Sequence, residues 1–169
     1  SRGIPGERVV VTGMPVRPEF GEPVSPVAAR SVLGLHTHAP VVLAMAGAYG
    51  GFGRLPDVAR ALLGLERPLQ AVLVAGHDAR LEAKLRRMTR GAAIRVLGWV
   101  PDVRRLMAAA DLLVTKAGGL TLAEAIAAEL PVLAYGSLPP LPLCPRLRHK
   151  PQARTAQTAP QSGAASSCD

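Results

Sequence analysis

Residues 114–125, VTKAGGLTLAEA, end an apolar run and begin a helical pattern within a few positions. The apolar residues before this stretch predict a buried strand, and Gly118 and Gly119 interrupt the pattern. Leu-Thr-Leu-Ala-Glu-Ala follows, which is typical of the first turns of a helix. A strand, a glycine turn and a helix in this order predict one unit of an α/β fold, with the turn at the carboxyl end of the strand.

This turn has two possible roles from its spacing alone. A glycine pair lets a ligand approach the backbone, and the free N–H groups at a helix start favour a phosphate. Glu124 would then lie near the phosphate and accept hydrogen bonds from ribose hydroxyls. Alternatively, Thr121 and Glu124 form a T-x-x-E capping box that closes the helix start, and the glycines serve only the turn.

The same alternation of strand and helix runs along most of the chain. Strands that are apolar throughout are typical of a parallel sheet covered by helices on both faces. We therefore predict a Rossmann-like α/β fold, in which ligands bind outside the carboxyl ends of the strands. The predicted strands cover residues 8–12, 41–46, 70–75, 93–97, 111–115 and 131–135. Three predicted helices cover residues 56–65, 79–90 and 119–129, and two more start at residues 25–26 and 101–102.

Composition narrows the class of partner. The chain is 49% hydrophobic but only 3% aromatic, and its formal net charge is +8. A basic protein favours anionic partners such as nucleotides or an anionic membrane surface, whereas so few aromatic side chains argue against nucleic acid. The cysteines have no metal-ligand spacing, so we expect no metal. No apolar run is long enough to span a bilayer, and we expect a cytosolic protein.

Two further loops follow predicted strands. Residues 45–53, MAGAYGGFG, either cradle a diphosphate with their N–H groups or form a plain loop. The dinucleotide pattern G-x-G-x-x-G fails there because Pro56 stands where its last glycine belongs, and a G-K-[ST] motif is absent from the sequence. In residues 96–103, VLGWVPDV, Trp99 either lies against a base or fills a gap in the loop.

The predicted helix over residues 79–90 is amphipathic and basic. Arg80, Lys84 and Arg87 share one face of it, and Leu81, Leu85 and Met88 share the other. Such a face is usually solvated, but it is also suited to anionic lipid.

Several segments together resemble a known family. They are VTGMPVRPEF (11–20), LAMAGAYG (43–50), VLGWVPDVRRLMAAADLLVTKAGGLTLAEA (96–125) and LPVLAYG (130–136). They are similar to the C-terminal half of processive diacylglycerol glycosyltransferases, relatives of plant monogalactosyldiacylglycerol synthase and, more distantly, of the MurG-type transferase. The most specific segment is LLVTKAGGLTLAEA, where the family usually has proline in place of Ala117.

The resemblance implies the donor-binding domain of a two-domain GT-B fold, and a reaction that transfers glucose or galactose from a UDP-sugar to diacylglycerol. It implies a peripheral enzyme on the cytoplasmic face of the cell membrane, with no cofactor and no metal. The implied roles are ribose binding by Glu124, diphosphate binding by Gly118, Gly119, Leu120 and Thr121, a second phosphate-side loop at Gly47, Ala48 and Tyr49, and uracil recognition by the Val100 backbone.

The sequence departs from the family at both ends. Residues 1–24 resemble an inter-domain linker with a first strand, and residues 25–136 part of the donor domain. After Tyr135 the family continues with a P-G-Q-E-type segment, whereas residues 137–169 predict a disordered tail produced by a frameshift or truncation. The catalytic base would lie in the missing N-terminal domain, so we expect no catalytic residue here and no activity of the chain alone. The alternatives are an N-acetylglucosamine transferase acting on a lipid-linked precursor and a non-catalytic nucleotide-binding module.

Overall fold

The computed structural model describes residues 5–8, 10, 12–47, 54–116 and 118–135. Five strands form one parallel sheet in the order β3-β2-β1-β4-β5. The strands are β1 (Val41–Met45), β2 (Gln70–Val74), β3 (Ile94–Leu97), β4 (Leu112–Lys116) and β5 (Val132–Tyr135), and the helices are α1 (Pro26–Val32), α2 (Leu55–Leu63), α3 (Ala79–Met88), α4 (Val103–Ala109) and α5 (Gly119–Ala127).

Helices cover both faces of the sheet, as the apolar strands predict. Leu55 and Ala59 of α2 pack with Leu85 of α3 in one apolar cluster. The helices α1, α4 and α5 contribute Ala29, Met107 and Ala125, among others, to the cluster on the opposite face. The central strands β1 and β2 are almost wholly buried, because each is covered on both sides. The Rossmann-like α/β prediction is confirmed.

The order of the strands reverses once. From β1 the chain builds β2 and β3 on one side, and it then crosses through α4 to build β4 and β5 on the other side. Leu43 of β1 therefore lies between Val72 of β2 and Leu113 of β4. The helices that follow β1 and β4 lie on opposite faces, so a crevice opens between these two strands at their carboxyl ends.

The amino ends of the strands, here called the amino edge, are held by a polar network. Arg30 of α1 binds both carboxylate oxygens of Asp111 at 2.8 Å, and it also donates to the carbonyls of Thr37 and Ala109. Asp111 in turn accepts from the backbone N–H of Val41 at 2.8 Å. One side chain thus fixes α1 and the starts of β1 and β4.

A second pair at the amino edge has the same character. Gln70 is buried, and its amide accepts from the backbone N–H of His36 at 2.8 Å and donates to the carbonyl of His36 at 2.9 Å. The side chain therefore replaces a backbone partner for the loop after α1. Buried polar groups are satisfied in this way throughout the network.

The helices α1 and α5 end in the same motif with different residues. After α1, Gly34 has a φ of +59° and the N–H of Leu35 donates to Arg30 at 2.8 Å. After α5, Glu129 has a φ of +52° and the N–H of Leu130 donates to Ala125 at 2.9 Å. Both are Schellman ends, but only the first has the glycine that this conformation favours.

The strand predicted over residues 8–12 is wrong in the part that the structure describes. Gly6–Arg8 is a 3-10 turn, and neither Val10 nor Thr12 belongs to a strand. Val10 is 79% exposed, so an apolar run without a neighbouring strand or a covering helix gains nothing from the extended form. The boundaries at residues 24 and 136 stay predictions, and the predicted tail lies outside the described residues.

The segment before α1 also contains the 3-10 turn Pro18–Gly21, whose Phe20 is buried. Ser25 caps α1 as predicted, since its Oγ accepts from the N–H of Ala28 at 3.3 Å. Within the ranges that are described, none of the helices is long and apolar enough to cross a bilayer.

Candidate functional site

The carboxyl ends of the strands, here called the carboxyl edge, meet the crevice between β1 and β4. Ala46 and Gly47 follow β1 there, and Gly118 and Gly119 follow β4. The hydroxyl of Thr115, which is buried, donates to the carbonyl of Met45 at 3.4 Å and ties the two strand ends together. The crevice thus has a fixed floor, with Gly47 on one side of it and Gly118 on the other.

The helix α5 begins at the crevice. Gly118 is its N-cap, in an extended conformation, and the N–H of Leu122 donates to the Gly118 carbonyl at 3.0 Å. The backbone N–H groups of residues 119–121 precede the first helical hydrogen bond, so they are available to an acceptor from outside. The helix dipole adds partial positive charge at the same point, which suits an anion.

This geometry corrects the capping-box interpretation. Thr121 lies in the first turn of α5 rather than at its N-cap, and Glu124 is near the middle of the helix. No side chain caps α5 at its N-cap residue, which is Gly118. The helix predicted over residues 119–129 starts where α5 starts, whereas the capping-box interpretation placed the N-cap three residues too late, because a glycine N-cap gives no side-chain signal.

Gly119 allows the preceding linker to approach the helix start. A Cβ atom at this position would lie 2.6 Å from Met14 Cε. Met14 comes from the segment that precedes α1, and half of its surface is exposed. A side chain at position 119 would therefore require the end of the Met14 side chain to move.

The side chain of Lys116, the last residue of β4, reaches Gly47, which follows β1. Gly47 has a φ of +83°, and a Cβ atom there would lie 3.2 Å from Lys116 Cε and 3.5 Å from Lys116 Nζ. Glycine thus permits both the backbone turn after β1 and the close approach of the ammonium group. Lys116 was not predicted as a site residue, although it directly precedes the glycine turn in VTKAGG.

Glu124 is oriented by a residue that is remote in sequence. Its side chain is only 16% exposed, and its Oε1 lies 3.3 Å from Arg17 Nε. The same guanidinium donates from Nη1 to the carbonyl of Pro101 at 3.3 Å and lies over the ring of Phe20. Arg17 therefore joins the linker, the loop after β3 and helix α5. It lies in the segment VTGMPVRPEF, but no sequence pattern indicates its partner.

The loop after β3 brings Val100 to the same group of residues. Val100 is half-buried against the apolar cluster beneath α4, and the neighbouring Pro101 is the acceptor for Arg17. The predicted ribose and uracil residues are thus held within reach of a single arginine side chain.

Trp99 does not fill a gap in its loop. It is 54% exposed and stacks on His77, with ring centroids 4.2 Å apart and an angle of 14° between the planes. His77 follows β2 and Trp99 follows β3, so the stacked pair extends the carboxyl edge beyond the crevice.

Two predicted site residues, Ala48 and Tyr49, lie outside the described residues. Gly47, Gly118, Gly119, Leu120, Thr121, Glu124 and Val100 are all at the carboxyl edge or on the helix that starts there. Their roles in binding stay predictions. No group of three or more metal-ligating side chains occurs in the described part of the chain.

A cavity in another part of the fold is a second candidate. Its volume is about 640 Å³, and it runs between α4 and α5 to Asp111 and Pro131, which precede β4 and β5. It therefore reaches the amino edge. The open crevice at the carboxyl edge is the better candidate site, because backbone donors and a cation converge there.

Comparison with known proteins identifies the family. Residues 41–140 match the family described as "Glycosyl transferases group 1". The chain belongs to this glycosyltransferase family, and its parallel sheet is the Rossmann-like half of a GT-B fold.

The names of the similar proteins are more specific than the description of the family. The chain is 36% identical over 133 residues to a processive diacylglycerol beta-glucosyltransferase of Bacillus pumilus, covering 78% of this chain and 34% of the relative. It is 31% identical over 139 residues to the protein of the same name from Bacillus cereus, covering 81% and 36%. The chain thus spans about a third of the length of these curated relatives.

Two solved structures share the fold. The glycosyltransferase WaaG, which is involved in lipopolysaccharide biosynthesis, gives a TM-score of 0.59 at 26% identity, covering 77% of this chain and 38% of WaaG. A glycosyltransferase from Rickettsia africae gives a TM-score of 0.61 at 19% identity, covering 78% of this chain and 39% of that protein. At this low identity, the second similarity supports the fold alone.

Proposed function

We propose that this chain is the donor-binding domain of a UDP-sugar-dependent glycosyltransferase that transfers glucose or galactose to diacylglycerol in glycolipid synthesis. The family and the names of the relatives support the class of reaction and the acceptor. The observation that carries the nucleotide assignment is the arrangement at the carboxyl edge, where the start of α5, Lys116 and the Arg17–Glu124 pair converge.

The diphosphate would bind at the start of α5. Its negative charge suits the N–H groups of Gly119, Leu120 and Thr121, which precede the first hydrogen bond of the helix, and the ammonium of Lys116 near Gly47. The loop that begins at Gly47, with Ala48 and Tyr49, would close the other side of the phosphates. Leaving-group charge would thus be stabilised by backbone dipoles and a cation, and we propose that neither a metal nor a cofactor is needed.

The nucleoside would extend from the diphosphate toward the loop after β3. Arg17 holds Oε1 of Glu124, which leaves Oε2 to accept from a ribose hydroxyl. The uracil would then meet the backbone of Val100, beside the acceptor of the same arginine. A single guanidinium would therefore set the distance between the ribose and base positions.

The acceptor and its location are part of the same proposal. A diacylglycerol acceptor is confined to the bilayer, so we propose a peripheral position on the cytoplasmic face of the cell membrane. The expectation that the 169-residue chain alone has no transferase activity stays a prediction, and turnover of UDP-glucose or UDP-galactose onto diacylglycerol would contradict it.

Calorimetry with UDP tests the nucleotide assignment. We expect Glu124→Ala to weaken UDP binding about 10- to 100-fold, because a hydrogen bond from the ribose to a partly buried carboxylate is lost. The same substitution should have little effect on 2′,3′-dideoxy-UDP, which lacks the ribose hydroxyls. Glu66→Ala, at an exposed position far from the crevice, is the matched control. Equal UDP binding by the Glu124→Ala variant would remove this residue from the ribose role.

A further inference from the structure

The positive charge of the folded region is concentrated in one segment. Residues 1–136 contain 16 Lys and Arg against 11 Asp and Glu, a net charge of +5. Residues 80–95 alone contain six Lys and Arg against one Glu, which is again +5. The rest of residues 1–136 is therefore neutral on balance. The six basic residues are Arg80, Lys84, Arg86, Arg87, Arg90 and Arg95.

Helix α3 presents half of this charge as a stripe. Arg80, Lys84 and Arg87 are spaced four and three residues apart, so they share one face of the helix. All three are exposed, and among the described residues they form no salt bridge. Leu85 is fully buried on the side that faces the sheet. The stripe therefore points away from the core and has no counter-charge in the described part of the fold.

The other three basic residues surround a cavity at the end of α3. Its volume is about 360 Å³, and Arg86, Arg90 and Arg95 line it. Glu82 neutralises Arg86 at 2.7 Å, and Arg95 donates to the carbonyl of Gly34 at 2.8 Å. The guanidinium groups therefore border an opening large enough for a phosphate group, with a single carboxylate among the nearby ion pairs.

Helix stability does not account for the stripe. Cations in the last turn of a helix complement its dipole, which explains Arg86 and Arg87 at the end of α3. Arg80 lies in the first turn, where the dipole disfavours a cation. The helix dipole therefore accounts for Arg87 but not for Arg80, and an anionic partner supplies a reason for the rest of the stripe.

We infer that α3 and the turn that follows it form a contact surface for the phosphate headgroups of an anionic membrane. This inference rests on the proposed function only in that a lipid acceptor requires the enzyme to meet a bilayer. Residues 79–96 contain no aromatic side chain to stack on bases, which disfavours single-stranded nucleic acid. The stripe contains no apolar side chain either, so the contact is electrostatic and superficial.

Such a surface has measurable properties. A basic residue near an anionic bilayer contributes roughly fivefold in partitioning, and the effect decays within a Debye length. Binding should therefore rise with the fraction of anionic lipid and fall with salt. Replacing the three basic residues of the stripe should lower partitioning of the protein to anionic vesicles at least tenfold, even when not every residue contacts the bilayer fully.

The test is sedimentation of the full 169-residue chain with phosphatidylcholine vesicles, with and without phosphatidylglycerol. The variant Arg80→Gln, Lys84→Gln, Arg87→Gln is compared with a control of equal charge change outside the described residues, Arg146→Gln, Arg148→Gln, Lys150→Gln. Because the three α3 side chains are exposed, circular dichroism and thermal unfolding should match the wild type. The single variant Arg80→Gln should lose less vesicle binding than the triple variant.

The expected result is a tenfold or larger loss for the α3 variant on mixed vesicles, a much smaller loss for the control, and no binding of any variant to pure phosphatidylcholine. Equal binding by the wild type and the α3 variant would overturn the inference, and so would equal losses in both triple variants. Tighter binding to duplex DNA, or competition by free glycerol phosphate at low concentration, would assign the surface to another ligand and also overturn it. UDP binding is measured in the same samples, so failure of the nucleotide proposal would be seen separately.

Discussion

The amino edge and the carboxyl edge of the sheet both contain charged and polar side chains, but the contacts of these side chains differ. At the amino edge, Arg30, Asp111 and Gln70 are bound to backbone groups or to each other at 2.7–2.9 Å. At the carboxyl edge, the start of α5 has no side-chain cap, and Lys116 and Glu124 border an open crevice. Polar side chains at the amino edge thus bind the backbone and stabilise the fold, whereas those at the carboxyl edge lie beside backbone N–H groups that suit a ligand.

The largest effect is expected at the amino edge. Arg30→Ala should lower the free energy of unfolding by about 2–3 kcal/mol, because it leaves Asp111 and two carbonyls without their partner. UDP affinity of the folded fraction should not change, since the crevice lies at the other end of the strands. Urea unfolding measures the free energy of unfolding, and calorimetry with UDP measures the affinity.

Arg54→Ala is the matched control for that experiment. Arg54 also binds a carboxylate, that of Asp57, but the pair is exposed on the surface of α2. Exposed pairs contribute little, so stability should scarcely change. An equal loss from the two substitutions would mean that the amino-edge network is no more structural than an ordinary surface ion pair.

At the carboxyl edge, we expect a substitution to lower the affinity for UDP. Lys116→Met keeps the aliphatic stem of the side chain and removes the ammonium. UDP affinity should fall about tenfold through loss of a charge-assisted contact with the diphosphate. Uridine, which has no phosphate, should bind both proteins equally. A similar loss with uridine would place Lys116 away from the phosphates.

A smaller, favourable effect is expected at the end of α5. Glu129→Gly should raise the free energy of unfolding by roughly 1 kcal/mol, because glycine adopts the positive φ without strain. The matched reverse change, Gly34→Ala at the end of α1, should destabilise the protein, since a Cβ there would also lie 2.7 Å from Arg95 Nη2. Thermal unfolding of both variants measures the difference, and destabilisation by Glu129→Gly would contradict the strain argument.

The smallest effect concerns Tyr135 at the end of β5. Burial raises the pKa of its hydroxyl above the ordinary value of 10.0, and within the described ranges that hydroxyl has no hydrogen-bond partner. The folded protein thus holds the phenolic proton more tightly than the unfolded chain. Its contribution to stability is complete below pH 10 and is lost as the pH rises above it.

Tyr135→Phe should therefore leave stability at neutral pH unchanged or slightly higher, and it should weaken the decline above pH 10. Urea unfolding of both proteins across that range isolates the contribution of this group. Parallel pH profiles for the wild type and the variant would show that the hydroxyl titrates normally.

The elements of the fold could be predicted from the sequence because each depends on local pattern. Apolar runs marked β1, β2 and β4 to within about a residue, and the residue pairs Ser25-Pro26 and Pro101-Asp102 marked two helix starts. The strand over residues 8–12 failed because a short apolar run does not show whether a partner strand exists. The start of α5 at Gly119 was predicted correctly, but the capping-box interpretation put its N-cap at Thr121, because Gly118 caps the helix without a side chain.

The site could be predicted only where it follows from topology. Residues after parallel strands must lie at one edge, which placed Gly47, Gly118 and Val100 together. The contact between Arg17 and Glu124 joins residues 107 positions apart, and neither is unusual in its local sequence. The stack of His77 on Trp99 depends on the pairing of β2 with β3, which spacing alone does not give.

The most direct test of the account is a titration of the isotope-labelled chain with UDP, followed through backbone amide shifts. The account predicts that the largest changes occur at Gly47 and at Gly119, Leu120 and Thr121, with small changes at Glu124 and Val100. The amides of His36 and Asp111 at the amino edge should not move. Changes centred on the amino edge, or no saturable change at the start of α5, would contradict the claim that the carboxyl edge is the nucleotide site.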